Sequence, residues 1–374
     1  MPVTTDAYVA RPGNKVSLEK ITYPDLGPNE LFVAILSASL CHSDVRAVSG
    51  AFHLKPPLVI GHEAAGFVKE VGSAVSYVKP GDAVVLAYAS CGSCRRCISG
   101  KQPYCDRMFD LNFSGKGEDG AVVARDERDE PVSGRFFGQS SMSRVALVYE
   151  GSCVKIDCTR EELKLFASLG CGVQTGAGCI LNVARPPVGS SIEVFGGGAV
   201  GLSAVLAAKL YTPSCLVLVD NSQAKLDMIP KQILHGVITV NSAGKTPDQI
   251  ADELRALTPT QAGMDYALDC VGNESVIAAA HLSLDKLGTM INPGGHPDAK
   301  ASYKVEHHLV KGATSRGTHQ GDSVPRTMIP HLIQLWKAGK FPFDQMLTEF
   351  PFEDLHKALE ETHRGNVIKP LLIL

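Results

Sequence analysis

The sequence predicts an α/β protein with two domains, a mostly antiparallel β domain followed by a doubly wound parallel sheet. Three observations favour this fold class. The chain has 374 residues, which is the length of two ordinary domains. Its first half alternates short β-like runs with Gly/Pro turns, and its second half alternates apolar runs of strand length with segments of helix length.

The first predicted domain spans residues 1–172. Its β-like runs lie at residues 31–37, 64–71 and 83–86, and the turn Lys79-Pro80-Gly81-Asp82 precedes the third run. Short strands bounded by such turns are typical of a small antiparallel β domain.

The second predicted domain spans residues 173–314 and has apolar runs at residues 191–195, 215–219, 266–270 and 289–291. Strands separated by helix-length segments indicate βαβ units and a parallel sheet. Residues 315–374 are predicted to return to the first domain, with a helix at 327–338 and a terminal apolar run at 368–374 that could complete its sheet.

Composition excludes several classes of protein. Hydrophobic residues make up 44% of the chain and charged residues 20%, as in ordinary globular proteins. A net charge of -3 offers no electrostatic basis for binding nucleic acid or an anionic membrane, and no uncharged apolar stretch of 18 residues is present. The first residues, MPVTTDAYVARPG, have neither a basic segment nor an apolar run, so we expect a cytoplasmic protein.

Four closely spaced cysteines form the strongest local motif. Cys91, Cys94, Cys97 and Cys105 occur in C-G-S-C-R-R-C-I-S-G-K-Q-P-Y-C. Four thiolates fill the tetrahedral shell of Zn²⁺ and leave no position for a substrate, so this metal is predicted to be structural. The alternative is a disulfide cluster, which the expected reducing compartment disfavours.

A glycine-rich turn follows the first apolar run of the second domain. Gly196, Gly198 and Gly201 form G-x-G-x-x-G between that run and a helix of small residues. In this motif the first glycine permits the tight turn, the second lets the backbone approach a pyrophosphate, and the third lets helix and strand pack closely. The next apolar run ends at Asp220, where a carboxylate would meet the ribose hydroxyls of NAD and repel the 2′-phosphate of NADP. The alternative is that Asp220 is only a turn residue or a helix N-cap, and it could fill both roles.

Three further segments carry groups that could bind metal: Ser39-Leu40-Cys41-His42-Ser43-Asp44, Gly61-His62-Glu63-Ala64-Ala65-Gly66, and residues 170–176, which contain Cys171. Their separation along the chain does not by itself join them. In this order, with the four-cysteine loop and the glycine turn, they resemble the zinc-dependent medium-chain alcohol dehydrogenases, and within that family the aryl- or benzyl-alcohol dehydrogenases. The similarity runs from near Tyr8 to the C-terminus.

The resemblance implies a GroES-like catalytic domain, a Rossmann domain, NAD and two zinc ions per subunit, one catalytic and one structural. It makes Cys41, His62 and Cys171 the ligands of the catalytic zinc, with an open fourth position. Asp44 would hold the free nitrogen of His62, Glu63 would lie behind the metal, and Ser43 would hydrogen-bond the substrate hydroxyl and take part in removing its proton. The implied cofactor contacts are His42, Thr175, Lys225 and Lys369, in addition to the glycines and Asp220.

The chain departs from the family pattern at two positions, Arg46 and Lys369. Arg46 occupies the position where many relatives have the histidine that ends a proton relay, and arginine does not titrate near neutrality. The proton could leave through water or through His53. Lys369 replaces an arginine that reaches the cofactor pyrophosphate in relatives, so it offers a point charge without the planar fork.

Five phenylalanines lie near these motifs. Phe52 matches a position that lines the substrate pocket in the family, whereas Phe109, Phe113, Phe136 and Phe137 follow the four-cysteine loop. For the latter four we favour the interpretation that they anchor a long loop to the core.

The function implied by the resemblance is interconversion of a primary aromatic or allylic alcohol and its aldehyde with NAD(H). A biosynthetic reductase that delivers hydride to an enal or an iminium is the nearest alternative, and a cofactor-binding regulatory protein without activity is a third. We expect a small-molecule partner, no nucleic-acid or membrane partner, and a homodimer or homotetramer. The apolar run at residues 289–291, followed by Pro293, is the candidate edge strand for assembly.

Overall fold

The fold is described from a computed structural model that covers residues 1–50, 52, 54–117, 120–295 and 299–374. His53, proposed above as an exit for the proton, lies outside these residues.

The strands are β1 Val3–Arg11, β2 Lys15–Tyr23, β3 Glu30–Ser39, β4 Leu58–Val59, β5 Ala64–Val71, β6 Ala83–Leu86, β7 Ala124–Asp126, β8 Pro131–Val132, β9 Val145–Tyr149, β10 Cys153–Lys155, β11 Ser191–Phe195, β12 Cys215–Asp220, β13 Ile238–Asn241, β14 Met264–Asp269, β15 Leu284–Asn292, β16 Thr314–Gly317, β17 Leu347–Pro351 and β18 Lys369–Ile373.

The α-helices are α1 His42–Val48, α2 Arg95–Ile98, α3 Met108–Phe113, α4 Arg160–Phe166, α5 Gly172–Gly178, α6 Ala199–Lys209, α7 Gln223–Met228, α8 Lys231–Leu234, α9 Pro247–Leu257, α10 Glu274–Ser283, α11 Val305–Lys311, α12 Pro325–Lys337 and α13 Leu355–Arg364. Local sequence explains several of their boundaries. Thr159 and Thr246 accept hydrogen bonds from the third residue of α4 and α9, respectively, and the side chains of Glu162 and Gln249 reach back to complete two capping boxes.

The chain divides into two compact units. The first comprises Met1–Cys171, Val324–Ile333 and Leu347–Leu374, and the second comprises Gly172–Ser323 and Gln334–Met346. The C-terminal segment predicted to return to the first domain is therefore shared between the two units, because residues 315–323 and 334–346 pack with the second.

The first unit contains a five-stranded sheet in the order β4-β1-β2-β7-β8 and a seven-stranded sheet in the order β10-β6-β5-β3-β18-β17, with β9 also paired to β3. All of these pairs are antiparallel except β17 with β18. The terminal apolar run forms β18, which pairs with β3 and completes the larger sheet as expected.

The second unit contains a six-stranded parallel sheet in the order β13-β12-β11-β14-β15-β16. This order is that of a doubly wound dinucleotide-binding fold, and the predicted fold class is confirmed. Every residue of the central strands β11 and β12 is buried, as expected for strands covered on both faces.

The predicted edge strand was wrong. Residues 289–291 belong to β15, which pairs with β14 on one side and with β16 on the other. Strand β16 lies at that end of the sheet, and its four residues are all exposed. The sequence did not reveal β16 because Thr314-Ser315-Arg316-Gly317 has no apolar run.

No single helix among the described residues is long and apolar enough to cross a membrane. In the part of the chain that the structure describes, one pair of consecutive helical segments, Arg160–Gly170 and Gly172–Ala184, reaches that length and composition when taken together.

Glu193 is a buried carboxyl group at the centre of β11 and gives the fold a pH dependence. Burial raises its pKa to about 8, although a hydrogen bond from Ser283 and the charge of Lys311 oppose the shift. Because the folded protein binds this proton more tightly than the unfolded chain, the stabilisation is complete below the unfolded pKa near 4.5 and is lost as pH rises through about 8.

We therefore expect Glu193→Gln to flatten the decline in stability between pH 5 and pH 9 and to make the variant more stable than the wild type at pH 9, by about 1 to 5 kcal/mol. Chemical denaturation of both proteins at several pH values measures this difference. Glu349→Gln, at an exposed carboxylate in β17, is the matched control and should leave the pH profile unchanged. An equal slope for wild type and Glu193→Gln would contradict the prediction.

Candidate functional site

Four potential metal ligands converge in the first unit. The ligand atoms of Cys41, His62, Glu63 and Cys171 all lie within 4.8 Å of one another. Cys41 is the N-cap of α1, His62 and Glu63 immediately precede β5, and Cys171 follows the 3₁₀ turn Ala167–Gly170. The three predicted ligands of the catalytic zinc are thus brought together from positions up to 130 residues apart.

Asp44 fixes the orientation of His62. Its Oδ1 lies 2.9 Å from Nδ1 of His62 and accepts the backbone N–H of Gly61 at 3.0 Å, while Oδ2 accepts the N–H of Cys41 at 3.0 Å. A carboxylate on Nδ1 holds the proton there and leaves Nε2 as the ligand atom. The Nε2 atom is buried and has no hydrogen-bond partner among the described residues.

Within this cluster, the surroundings of His62 and Cys41 favour the charged forms of these two side chains despite their burial. Desolvation opposes protonation of His62, but the Asp44 carboxylate outweighs it and raises the pKa of His62 well above its ordinary value. A hydrogen bond from Cys171 and the proximity of His62 hold the pKa of the Cys41 thiol well below its ordinary value. The donor set consists of two thiols, one of them readily ionised, and an imidazole with an unpartnered nitrogen. This donor set fits Zn²⁺.

Lys369 has different contacts from those implied by the family. Its Nζ lies 2.5 Å from Oε2 of Glu63 and donates to the carbonyl of Leu40 at 2.9 Å, and the residue is 2% exposed. Burial raises the pKa of Glu63 to about 7, against the attraction of Lys369. In this structure, Lys369 therefore pairs with a buried carboxylate beside the predicted metal site, and its contact with a cofactor pyrophosphate stays a prediction.

The phenylalanines of the long loop do more than anchor it. The ring of Phe137 stacks on the imidazole of His62 at a centroid distance of 4.6 Å and an angle of 25°, and Phe136 meets the same imidazole edge-on at 5.1 Å. Phe113 packs against both of these rings, and Phe52 stacks on Phe113 at 5.1 Å. Four aromatic rings therefore form a continuous wall beside a predicted zinc ligand, whereas Phe109 is exposed.

Gln139 helps to position His62, and the sequence did not indicate this contact. Its Nε2 donates to the carbonyl oxygens of His62 and Ala87, both at 2.9 Å, and the side chain is fully buried. Together with the stacking of Phe137, this pair of hydrogen bonds fixes the strand end that carries His62. No spacing rule links positions 62 and 139, so only the folded chain reveals the contact.

The remaining predicted residues of this segment lie on α1. His42 is exposed and Ser43 is half-buried in its first turn, beside Cys41. The guanidinium of Arg46 lies over the ring of Phe52, 4.8 Å from its centroid. The roles of His42 and Ser43 in binding cofactor and substrate stay predictions.

The four cysteines of the loop form a second, separate group. The sulfur atoms of Cys91 and Cys97, Cys94 and Cys105, and Cys91 and Cys105 are 3.9, 4.0 and 3.5 Å apart. These separations exceed the ~2.05 Å of a disulfide and match the ~3.8 Å edge of a tetrahedron with Zn–S bonds of ~2.3 Å. Desolvation opposes ionisation, but backbone N–H groups of Ser93 and Cys94 lower the pKa of Cys91 to about 6. The cysteines fit a closed structural zinc site and exclude the disulfide alternative.

The glycine turn of the second unit is shaped to accept an anion. Gly196 has φ of +102°, which favours glycine, and a Cβ at Gly201 would overlap the carbonyl oxygen of Gly196. A Cβ at Gly198 would meet nothing within 4 Å, so space remains beside the backbone there. Gly198 is the N-cap of α6 and provides no side-chain cap, which leaves the first N–H groups of the helix available to phosphate oxygens.

Asp220 ends β12 directly beside this turn. Its carboxylate accepts the N–H of Gly197 at 2.8 Å and the N–H of Ser222 at 2.9 Å, so it also stabilises the turn that would hold a cofactor. Lys225 is exposed in α7, five residues further on. Thr175 is buried in α5, 3.4 Å from Oε1 of Gln320. Their contacts with a cofactor stay predictions.

Comparison with known proteins matches both halves of the chain to described families. Residues 27–158 match the family "Alcohol dehydrogenase GroES-like domain", and residues 199–338 match the family "Zinc-binding dehydrogenase". Geraniol dehydrogenase of Castellaniella defragrans is 34% identical over 369 residues, covering 98% of this chain and 96% of that relative.

Two solved structures are similar over the whole chain. An alcohol dehydrogenase zinc-binding domain protein from Burkholderia ambifaria superimposes with a TM-score of 0.92 at 36% identity, covering 100% of both chains. Benzyl alcohol dehydrogenase from Acinetobacter calcoaceticus superimposes with a TM-score of 0.90 at 31% identity, covering 100% of both chains.

Proposed function

Because the chain belongs to the zinc-dependent medium-chain alcohol dehydrogenases, we propose that it interconverts a primary aromatic or allylic alcohol and its aldehyde with NAD(H). The observation that carries this proposal is the aromatic wall of Phe52, Phe113, Phe136 and Phe137 beside His62. Phe136 and Phe137 are buried, so Phe52 and Phe113 are the partly exposed rings on which flat, polarisable substrates would gain stacking energy that saturated alcohols do not. Relatives named for geraniol, an allylic alcohol, and for benzyl alcohol agree with this substrate class.

Cys41, His62 and Cys171 would hold the catalytic zinc, which supplies a Lewis acid that makes an alcohol hydroxyl more acidic. Asp44 keeps the proton of His62 on Nδ1, so that Nε2 faces the metal position. Ser43 in the first turn of α1 takes part in removing the hydroxyl proton. The guanidinium of Arg46 lies over the ring of Phe52, so the released proton leaves by a path that does not run through this side chain.

A panel of paired alcohols tests the proposed substrate class. We expect kcat/KM to be higher for benzyl alcohol than for cyclohexylmethanol, and higher for geraniol than for its saturated analogue citronellol, by about tenfold or more in each pair. Phe113→Ala should reduce both ratios, because it removes a partly exposed ring of the wall. Equal rates within each pair would reject the aromatic or allylic class, and hydride delivery to the C=C bond of cinnamaldehyde would favour the enal reductase.

Asp220 is proposed to select NAD over NADP. Its carboxylate would accept hydrogen bonds from the ribose hydroxyls, whereas a 2′-phosphate would place like charges together at a cost of several kcal/mol. We expect Asp220→Gly to weaken NAD and improve NADP, so that the ratio of their kcat/KM values changes by about 10² or more, with Lys225 available to meet the phosphate.

The structure supplies a control for this prediction, since Asp220 also accepts two backbone N–H groups of the turn. Asp220→Asn retains an acceptor and removes the charge. It should therefore keep more NAD activity than Asp220→Gly while still admitting NADP. If the wild type prefers NADP, or if neither variant changes the ratio, Asp220 is not the selector.

The chain is proposed to form a homodimer or homotetramer through the edge of its parallel sheet. Strand β16 pairs with β15 alone among the described residues. Exposed apolar side chains lie on β15, its partner strand, and on α11, the helix that precedes it: Leu287, Val305, Leu309 and Val310. An open edge beside such a surface favours pairing with a second copy.

Light scattering should return at least twice the chain mass of 39.8 kDa at micromolar concentration. Leu309→Asp should reduce the mass, because a charge in the contact is costly to bury. Val188→Asp, at an apolar residue that is 80% exposed elsewhere, is the matched control and should not. A single-chain mass for the wild type would reject the assembly.

A cytoplasmic location is proposed as well, since all eleven cysteines are free of disulfides.

A further inference from the structure

Phe52 has a backbone conformation that large side chains disfavour. Its φ is +62°, in the left-handed region. Such a conformation persists only where the surrounding contacts hold it, and residues of this kind cluster at functional sites. Phe52 is also one of the two partly exposed rings of the aromatic wall on which the proposed substrate would stack. The contacts that hold this ring therefore affect how the substrate is bound.

The Phe52 ring has both aromatic and cationic contacts. Phe113 stacks on it at a centroid distance of 5.1 Å and an angle of 18°, and Phe136 packs against it in a tilted orientation at 6.0 Å. The guanidinium of Arg46 lies over the ring, 4.8 Å from its centroid. A cation in this position is attracted by the quadrupole of the ring. Arg46 therefore stabilises this placement of the Phe52 ring over others.

Arg46 connects the ring to the helix that begins at a predicted metal ligand. Arg46 lies in the last turn of α1, and Cys41 is the N-cap of the same helix. Asp44, in the first turn, accepts the backbone N–H of Cys41 and contacts Nδ1 of His62. Helix α1 is thus fixed at the predicted metal ligands, and the Arg46 side chain extends from this fixed helix to Phe52.

We propose that Arg46 is a positioning residue for substrate selection, because its guanidinium holds the Phe52 ring where a flat alcohol stacks on it. The inference rests on the proposed function and gives a role to a side chain that the proposed reaction does not use. Without the cation, the Phe52 ring leaves this placement more often, and a flat substrate loses part of its stacking energy. A saturated alcohol gains little from the ring and should lose less.

The experiment compares kcat/KM for benzyl alcohol and for cyclohexylmethanol in the zinc-loaded full chain. We expect Arg46→Gln to lower the ratio of these two values by about threefold to tenfold, mainly through KM for benzyl alcohol. Arg46→Lys keeps a cation and should restore part of the ratio. Arg160→Gln is the matched control, since the Arg160 guanidinium lies over the ring of Phe67 at 5.6 Å elsewhere in the first unit. It should leave the ratio unchanged.

A double-mutant cycle tests whether Arg46 acts through Phe52. In a Phe52→Leu background, which lacks the ring, Arg46→Gln should change the ratio by less than about twofold. Denaturant unfolding of the same four proteins without substrate should also show coupling, so that the two substitutions shift the unfolding midpoint non-additively. The proposal is overturned if the two substitutions act additively on the ratio, or if Arg46→Gln lowers kcat/KM equally for the two alcohols.

The outcomes separate this inference from the proposed function. A wild type that does not prefer benzyl alcohol rejects the proposed substrate class, and the unfolding cycle then decides whether Arg46 holds Phe52. Coupled shifts of the midpoint support that contact, and additive shifts overturn it. A wild type that prefers benzyl alcohol and keeps this preference in Arg46→Gln overturns the inference alone. Arg46→Met removes the cation as well and gives the same comparison if Arg46→Gln does not fold.

Discussion

Cys171→Ser is expected to lower kcat for alcohol oxidation by about 10³-fold or more, because the Lewis acid contributes several kcal/mol to the transition state. Cys41 and His62 would remain as a two-ligand set, with Glu63 the nearest further donor. Metal analysis should find two zinc ions per subunit in the wild type and one in the variant. The fold should persist, since the sheets of the first unit are held together by their own strand pairing.

Cys153→Ser is the matched control. Cys153 is fully buried in β10 of the same unit but belongs to neither ligand group. It should retain both zinc ions and most of the activity. Retention of two zinc ions by Cys171→Ser, or a wild type with a single zinc, would contradict the assignment of two metal sites.

Cys97→Ser is expected to lower the stability of the protein by several kcal/mol, because a closed four-cysteine site contributes its binding energy to folding. Cys97 and Cys105 belong to a buried cluster that also contains Phe136 and Phe137. Loss of this zinc should therefore loosen the rings that pack on His62 and reduce activity in addition. The measurement is the midpoint of thermal unfolding together with zinc content.

Cys158→Ser, at a half-exposed cysteine outside the loop, is the control for this second prediction and should unfold near the wild-type temperature. The two zinc-ligand variants should also differ in the property that each of them loses. Cys171→Ser should lose activity with little change in the unfolding midpoint, and Cys97→Ser should lose stability first. An unchanged midpoint for Cys97→Ser would show that the loop is held by its own packing.

The linear motifs could be read from the sequence because their geometry is local. The four cysteines lie in one loop of 15 residues, and the glycine turn joins adjacent elements. Short-range spacing largely determines where such side chains can meet. The resemblance to the family then extended the prediction to Cys41, His62 and Cys171, which spacing alone could not join.

Lys369 and Gln139 show what local spacing could not determine. Lys369 lies more than 300 residues from Glu63, and their pairing follows from the position of β18 beside β3. Gln139 meets the carbonyl of His62 because the loop after the structural cysteines folds back onto the start of β5. These contacts depend on strand order and on loop path, neither of which a residue pattern records.

The sequence by itself determined the fold class, the two ligand sets and the dinucleotide turn, because alternating patterns, close spacing and family motifs encode them. Tertiary structure alone decided that β16 forms the sheet edge, that Lys369 pairs with Glu63, and that Phe136 and Phe137 enclose His62. The physical reason is that the periodicity of a sequence indicates which residues are buried but not which residues they contact. The partner of a buried polar or charged group is determined only when distant segments pack together, because such a group is costly to bury without a partner.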